Sequence, residues 1–237
     1  MAGALRRRLC RRYLFIVSMP LTSADLGPAV AIAERQGWTV LDTSSSPEHI
    51  ASVVRGWAVP HGSRDRRVGV ERILPRPRVG GPLRSLSAQH GLGPFPFHTD
   101  GAHWRDPPRW VLLWCERDEQ GRDSLLLPWA ALFGEGVARQ PGTFLVRNGR
   151  ASFFTLVGEF ARLDLGCMIP QDPSADRIVH AMKAAGARSA RRITWTEGRM
   201  LVIDNFATLH GRSMPTGSHV TAGRILWRAL IGGDPGS

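Results

Sequence analysis

Apolar and polar positions divide the chain into two parts. Residues 24–36 carry Ala, Leu, Val and Ile at helical intervals, with Ser23 or Asp25 available to cap the start and Gly37 to stop the helix. Residues 38–41 then read as a short strand, and residues 47–55 as a second helix beginning at Ser46 or Pro47. Between residues 60 and 82, Pro60, Pro75, Pro77 and Pro82 stand among Gly and Arg, which predicts mostly irregular backbone and a loop able to move. From about residue 83 the pattern changes to short apolar runs broken by Gly, Pro and Asp, the signature of a sandwich or barrel of strands. The runs fall at 83–88, 109–115, 124–127, 143–147, 152–157, 192–195, 200–204 and 224–231, interrupted by helical patterns at 129–133 and 175–185. The expectation is a mainly β barrel with helices attached to its outside.

Composition narrows this picture. With 237 residues, 43% of them hydrophobic, and eight Trp and nine Phe, the chain has the apolar mass for a sizeable core, which excludes disorder. An all-β body of this size is commonly one domain, here expected over residues 19–237. No stretch approaches the roughly 20 apolar residues that a membrane helix needs, which implies a soluble body. Cys10, Cys115 and Cys167 are odd in number and lack a CxxC spacing, against a disulfide scaffold or a thiolate zinc site and in favour of a reducing, cytoplasmic compartment.

The net charge of +11 comes from thirty Arg and the single Lys183, against 20 acidic residues. Five of the arginines (Arg6, Arg7, Arg8, Arg11 and Arg12) crowd the first twelve residues and the rest are scattered. A nucleic-acid surface needs clustered cations, ideally with interleaved aromatics, so the distribution fits a solvated Arg-rich surface better. Arg11-Arg12-Tyr13-Leu14-Phe15 resembles a twin-arginine export signal, but the apolar stretch is short and no small-x-small cleavage site follows directly. Met19-Pro20-Leu21 reads as an ordinary start, so residues 1–18 are expected to be a disordered arm or the product of a start codon placed too far upstream.

Phe97-His98-Thr99-Asp100-Gly101 is explained poorly by structure alone. In an extended segment His98 and Asp100 leave the same face and can converge on one point, which suits a metal. Far downstream, Asp204-Asn205 and then His210 follow an apolar run. Two His and one carboxylate form the facial triad of non-haem Fe(II) oxygenases, which leaves coordination positions open. HxD on its own arises by chance in many sequences, so its weight depends on what accompanies it.

The accompaniment is a series of motifs in order: Pro96-Phe97-His98-Thr99-Asp100-Gly101, Pro107-Pro108-Arg109, Gly121-Arg122-Asp123-Ser124, Gly198 through Asn205, His210-Gly211-Arg212, and Arg224-Ile225-Leu226-Trp227-Arg228. Over roughly residues 83–234 this series closely resembles the taurine dioxygenase and clavaminate synthase-like family of Fe(II)- and 2-oxoglutarate-dependent oxygenases. The resemblance implies a double-stranded β-helix, or jelly roll, with His98, Asp100 and His210 as iron ligands. It implies that Arg224 pairs with the distal carboxylate of 2-oxoglutarate and that the Ser124 hydroxyl bonds the same group. The sequence departs from the family twice, with Arg122 for the second Gly of a Gly-Gly-Asp and Ser124 for the usual Thr. The implied reaction uses O2 to oxidise, most simply to hydroxylate, a C–H bond of a small molecule, with release of succinate and CO2. Asp100 in place of a Gly or Ala favours that outcome over halogenation.

Four further expectations concern neighbours of this site. Arg228, four residues beyond Arg224 on one strand, shares its face, and a buried guanidinium without a partner is very costly. An anionic substrate is therefore expected on Arg228, unless it pairs with an internal acid such as Asp204 or braces Arg224. Trp104 is a candidate substrate contact, His90 and His103 are pocket or surface residues rather than ligands, and Asp204 and Asn205 support the ligands. Two other readings stay open in the sequence: a nucleic-acid-acting oxygenase or basic module with an inactive barrel, and a cupin-type metal protein without 2-oxoglutarate. Monomer and homo-oligomer are equally compatible with it.

Overall fold

A computed structural model describes residues 14–16, 19–58, 69–74, 89–118, 121–133, 140–149, 151–214 and 223–232. Strands β1 (Leu14–Ile16) and β2 (Trp38–Asp42) flank helix α1 (Ser23–Gln36), and α2 (Pro47–Trp57) precedes β3 (Val70–Ile73). Then come β4 (Phe95–His98), β5 (Trp110–Asp118), β6 (Ser124–Pro128), β7 (Gly142–Asn148), β8 (Ala151–Val157) and β9 (Met168–Pro170). Helix α3 (Pro173–Ser189), β10 (Arg191–Ile193), β11 (Arg199–Asp204), β12 (Thr208–Arg212) and β13 (Arg224–Ile231) complete the order.

Three sheets result: six strands in the order β1-β2-β11-β5-β13-β3, four in the order β10-β6-β12-β4, and three in the order β8-β7-β9. The fold is the mainly β jelly roll expected, except that among the described residues the two larger sheets face one another as open layers and no barrel closes. Alternation along single strands explains how consecutive apolar residues are used. In β5, Val111, Leu113 and Cys115 point into the core between the two larger sheets, whereas Trp110, Leu112 and Trp114 pack under α1 and α2 on the other side. In β6, Leu126 points inward while Leu127 joins a third core with Phe144, Val146, Met168 and the buried face of α3. Among the described residues no helix is long and apolar enough to cross a membrane.

Local chemistry sets the helix ends. The Asp25 carboxylate accepts from both the backbone N–H and the hydroxyl of Thr22, so Thr22 caps α1 where Ser23 or Asp25 was expected, and Gly37 ends it at φ 89°. Ser46 caps α2 as expected, accepting from His49 N at 3.2 Å. Asp172 caps α3 and also accepts from Thr143 N, so the helix begins at Pro173, earlier than its apolar spacing alone suggests. The helical pattern at 129–133 is a single 3-10 turn over Trp129–Leu132.

Two expectations need correction. Within 60–82, Val70–Ile73 is a strand paired antiparallel with β13; the remaining residues of that stretch, other than 69 and 74, lie outside the described set, as does the strand expected at 83–88. Within 1–18, Leu14–Ile16 pairs parallel with β2, so that part of the expected arm is sheet, and the other residues of that segment are outside the described set.

Candidate metal centre

The site begins with strand pairing. β12 lies between β6 and β4, and its register sets His210 directly opposite His98. Their rings stand 4.5 Å apart between centroids. β4 is the edge of its sheet, which tolerates Pro96, and an irregularity between His210 and Arg212 breaks the ladder beside it. Gly211 is required there, because a Cβ at that position would meet Phe95 O at 2.9 Å.

Asp100 reaches the same point by a route that differs from the extended segment expected. The strand ends at His98, and Asp100 opens a turn. Thr99 anchors that turn by donating N–H to Leu163 O and accepting from Leu163 N on its hydroxyl. The Asn205 side chain accepts from Asp100 N at 3.0 Å and donates to the carbonyls of Asp100 and Pro108. Gly101 follows at φ 67°, where a Cβ would collide with Pro108 and Trp104. Asn205, expected as a supporting residue, is thus a splint under the carboxylate. Asp204 has its own role, accepting from Phe206 N in the turn that leads to β12, and burial raises its pKa.

The ligand atoms of His98, Asp100 and His210 all lie within 4.8 Å of one another. Each residue is buried, at 9%, 8% and 7% exposure. His98 Nδ1 sits 2.9 Å from Pro96 O, which assigns its proton to that nitrogen and leaves Nε2 as a lone-pair donor. Burial first, and the His210 charge second, lower the pKa of His98, so the ring is neutral as a ligand must be. Burial opposes ionisation of Asp100, but Arg228 and the two imidazoles outweigh it and hold the carboxyl well below the usual carboxylate range. One carboxylate and two imidazoles in this arrangement are the donor set of an Fe(II) facial triad, and the residues present fit that metal.

On β13, Leu226 and Leu230 face the core between the sheets, so Arg224 and Arg228 share that face as expected. Their surroundings differ. Arg228 donates from Nη1 to Asp100 at 2.5 Å and from Nε to Glu71 of β3 at 2.8 Å, with a further ion pair to Glu71 from Nη2. The premise for an anionic substrate, an unmatched Arg228, therefore fails: two internal acids already neutralise it, and neither is Asp204. Glu71 lay in the stretch read as irregular and carried no motif; only its period-2 position beside β13 makes it visible.

Arg224 is 8% exposed and donates from Nη1 to the carbonyl of Arg122 at 2.8 Å. Ser124 Oγ accepts from Trp195 Nε1 at 3.1 Å, and Ser124 pairs with Arg212 across the same ladder in which Leu126 pairs with His210. Arg224, Ser124 and the triad thus open on one interior. Trp104 is partly buried against the core between the sheets beside Gly101, whereas His90 packs on Phe95 and His103 on Trp104, outside the triad. A cavity of about 410 Å³ lies elsewhere, lined by Pro141, Leu156, Phe160 and Phe206 among others and by none of the triad.

No protein-family model and no curated protein matches the sequence. Solved structures do. An asparagine oxygenase in complex with Fe(II), 3-hydroxyasparagine and succinate superposes with a TM-score of 0.65 at 16% identity, over 88% of this chain and 78% of that one. The non-heme iron oxygenase OrfP, in complex with Fe, succinate and (3S)-hydroxy-L-Arg, gives 0.61 at 17% identity, over 89% and 79%. PvcB, an Fe, alpha-ketoglutarate dependent oxygenase from an isonitrile synthetic pathway, gives 0.60 at 15% identity, over 93% and 86%. The chain therefore has the jelly-roll fold of Fe(II)- and 2-oxoglutarate-dependent oxygenases.

Proposed function

We propose that the protein is an Fe(II)- and 2-oxoglutarate-dependent oxygenase that hydroxylates a C–H bond of a small amino acid. The observation that carries this reading is the pairing of His98 with His210 across two strands, with Asp100 folded onto the same point. These three residues would hold the iron, and Arg224 with Ser124 would hold the distal carboxylate of 2-oxoglutarate. Iron, 2-oxoglutarate and O2 together supply the oxidising power, leaving succinate and CO2 as coproducts. The chain's own contribution is chelation by two imidazoles and a carboxylate, orientation of that carboxylate by Asn205, and a buried interior that strengthens charge pairing.

The substrate class follows from Arg228 and Glu71. Both are half-buried beside Asp100, a cation and an anion in contact. An α-amino acid presents the complementary pair: its carboxylate suits Arg228 and its ammonium suits Glu71. Binding then exchanges one matched ion pair for two and leaves no buried charge alone. The anionic group expected on Arg228 becomes the carboxylate of a zwitterion, with Trp104 as part of the wall beside it. The structural neighbours bound to 3-hydroxyasparagine and (3S)-hydroxy-L-Arg support this class.

Anaerobic addition of Fe(II) and 2-oxoglutarate to the purified chain should give a visible metal-to-ligand charge-transfer band. A panel of L-amino acids should then stimulate succinate formation, and Arg228→Gln should weaken that stimulation while keeping the band. Absence of the band in the wild-type protein refutes the iron and 2-oxoglutarate reading. A band with stimulation only by substrates lacking an amino-acid head group refutes the substrate class.

A further inference from the structure

We propose that Arg122 is a second cation of the cosubstrate pocket, forming with Arg224 a two-guanidinium clamp that binds the distal carboxylate of a 2-oxo dicarboxylic acid independently of the metal. The identity of the cosubstrate rests on the function proposed above; the clamp itself rests on the following contacts.

Arg122 is fully buried, and among the described residues none of its three guanidinium nitrogens has a hydrogen-bond partner. An unpaired buried guanidinium is among the costliest groups a fold can carry, and a small residue at this position would avoid the cost. The backbone that carries the side chain is held in place. Asp123, the next residue, exchanges hydrogen bonds with Ser213 through its N–H and its carbonyl, both at 3.0 Å, and the Arg122 carbonyl accepts from Arg224. The backbone therefore presents Arg122 where the end of β12, the start of β6 and β13 meet.

Two other arginines share this corner. Arg212 is occupied, since its guanidinium donates to the carbonyls of Gly91 and Gly93 and stacks on Phe95. Arg224 has one nitrogen on a backbone carbonyl and is buried at 8% exposure. Burial takes the Arg224 pKa down to about 10, with Asp118 opposing the shift and Arg122 adding to it. Asp118 also acts on Arg122, yet three guanidinium groups meet at this corner, and an entering carboxylate adds negative charge that they lack.

Geometry sets the length of the ligand. Leu126 pairs with His210 and Ser124 with Arg212, so the triad and the arginine corner are two residues apart along the ladder, about 7 Å. A five-carbon diacid spans that interval. Monocarboxylic 2-oxo acids lack the distal charge and would leave the clamp unfilled, so the clamp also selects the cosubstrate.

The test titrates glutarate, which has the distal carboxylate and no keto-acid chelating group, into the full chain without added metal, followed by calorimetry and by the melting temperature. The wild-type protein should bind glutarate and melt higher with it. Arg122→Met should weaken glutarate binding at least tenfold and, without ligand, melt at or above the wild-type temperature, because an uncompensated charge has been removed. Arg122→Gln, a smaller polar change, carries the same expectations if the Met variant does not fold. No metal-free glutarate binding in the wild type overturns the clamp, as does unchanged affinity in the variants. A variant that melts lower yet binds as well as wild type shows that Arg122 is structural. A charge-transfer band in the wild type with unaltered 2-oxoglutarate affinity in Arg122→Met leaves the proposed function standing and removes the clamp alone.

Discussion

The two ends of the interior treat buried charge in opposite ways. At the metal end Asp100, Arg228 and Glu71 form a closed chain of opposite charges, each matched before any ligand arrives. At the other end Arg122 and Arg224 stand together with backbone carbonyl contacts from Arg224 only, and the guanidinium of Arg122 touches no acceptor among the described residues. A ligand at the first end must exchange partners with groups that are already satisfied, so discrimination there depends on offering both signs at once. A ligand at the second end fills a deficit, so affinity there depends on negative charge and reach.

Removal of a triad ligand should break the metal end most completely. His98→Ala, Asp100→Ala and His210→Ala should each abolish substrate-coupled succinate formation, and iron retained after desalting should fall with it. Wild-type succinate formation in any two of the three, at saturating iron, contradicts the assignment. Arg224→Leu strikes the other end. One partner of a buried charge-assisted pair left alone costs roughly 3–5 kcal/mol, and about 1.4 kcal/mol corresponds to each factor of ten. The 2-oxoglutarate dissociation constant, read anaerobically, should therefore rise more than a hundredfold, and an unchanged value would move the contact to another cation.

A milder change separates the two ends. Glu71→Gln keeps shape and removes the negative charge that meets Arg228, so the amino-acid KM should rise about tenfold, the loss expected of one charge-assisted contact of ~1.5 kcal/mol. The 2-oxoglutarate affinity should stay within about threefold. Equal effects on both ligands would mean that the two ends are not independent.

The contrast also explains what could be read from the chain beforehand. Strands β5, β6, β11 and β13 were legible because both of their faces are buried, so their apolar runs are continuous and end at Gly, Pro or Asp. β3 was not, since its four residues alternate charge with apolar side chains and lie in a Pro- and Arg-rich stretch, and their strand character comes from pairing with β13. β12 stands outside the apolar runs as well: His210, Gly211 and Arg212 carry no strand pattern of their own, and their burial is conferred by β6 and β4 on either side. A buried arginine needs a partner: Arg228 has Glu71, which is distant in sequence and unmarked, whereas Arg122, whose guanidinium has no hydrogen-bond partner among the described residues, reads in the sequence as a mild departure from a glycine.

Ser124→Ala is the smallest perturbation expected and the finest probe of the arginine end. The Ser124 hydroxyl already accepts from Trp195 Nε1, so toward a carboxylate it can act only as a donor, and the two bonds are compatible. Losing a neutral donor is worth about 1 kcal/mol, near fivefold in affinity. Truncation also strands the buried indole N–H of Trp195, which should lower stability by about 1–2 kcal/mol, readable as a lower urea midpoint at unchanged slope. If the arginine end is held by charge, the Ser124 loss in 2-oxoglutarate affinity stays far below that of Arg224→Leu. A loss in Ser124→Ala equal to that in Arg224→Leu would mean that hydrogen-bond geometry rather than charge secures the cosubstrate, and the contrast between the two ends would fail at its arginine side.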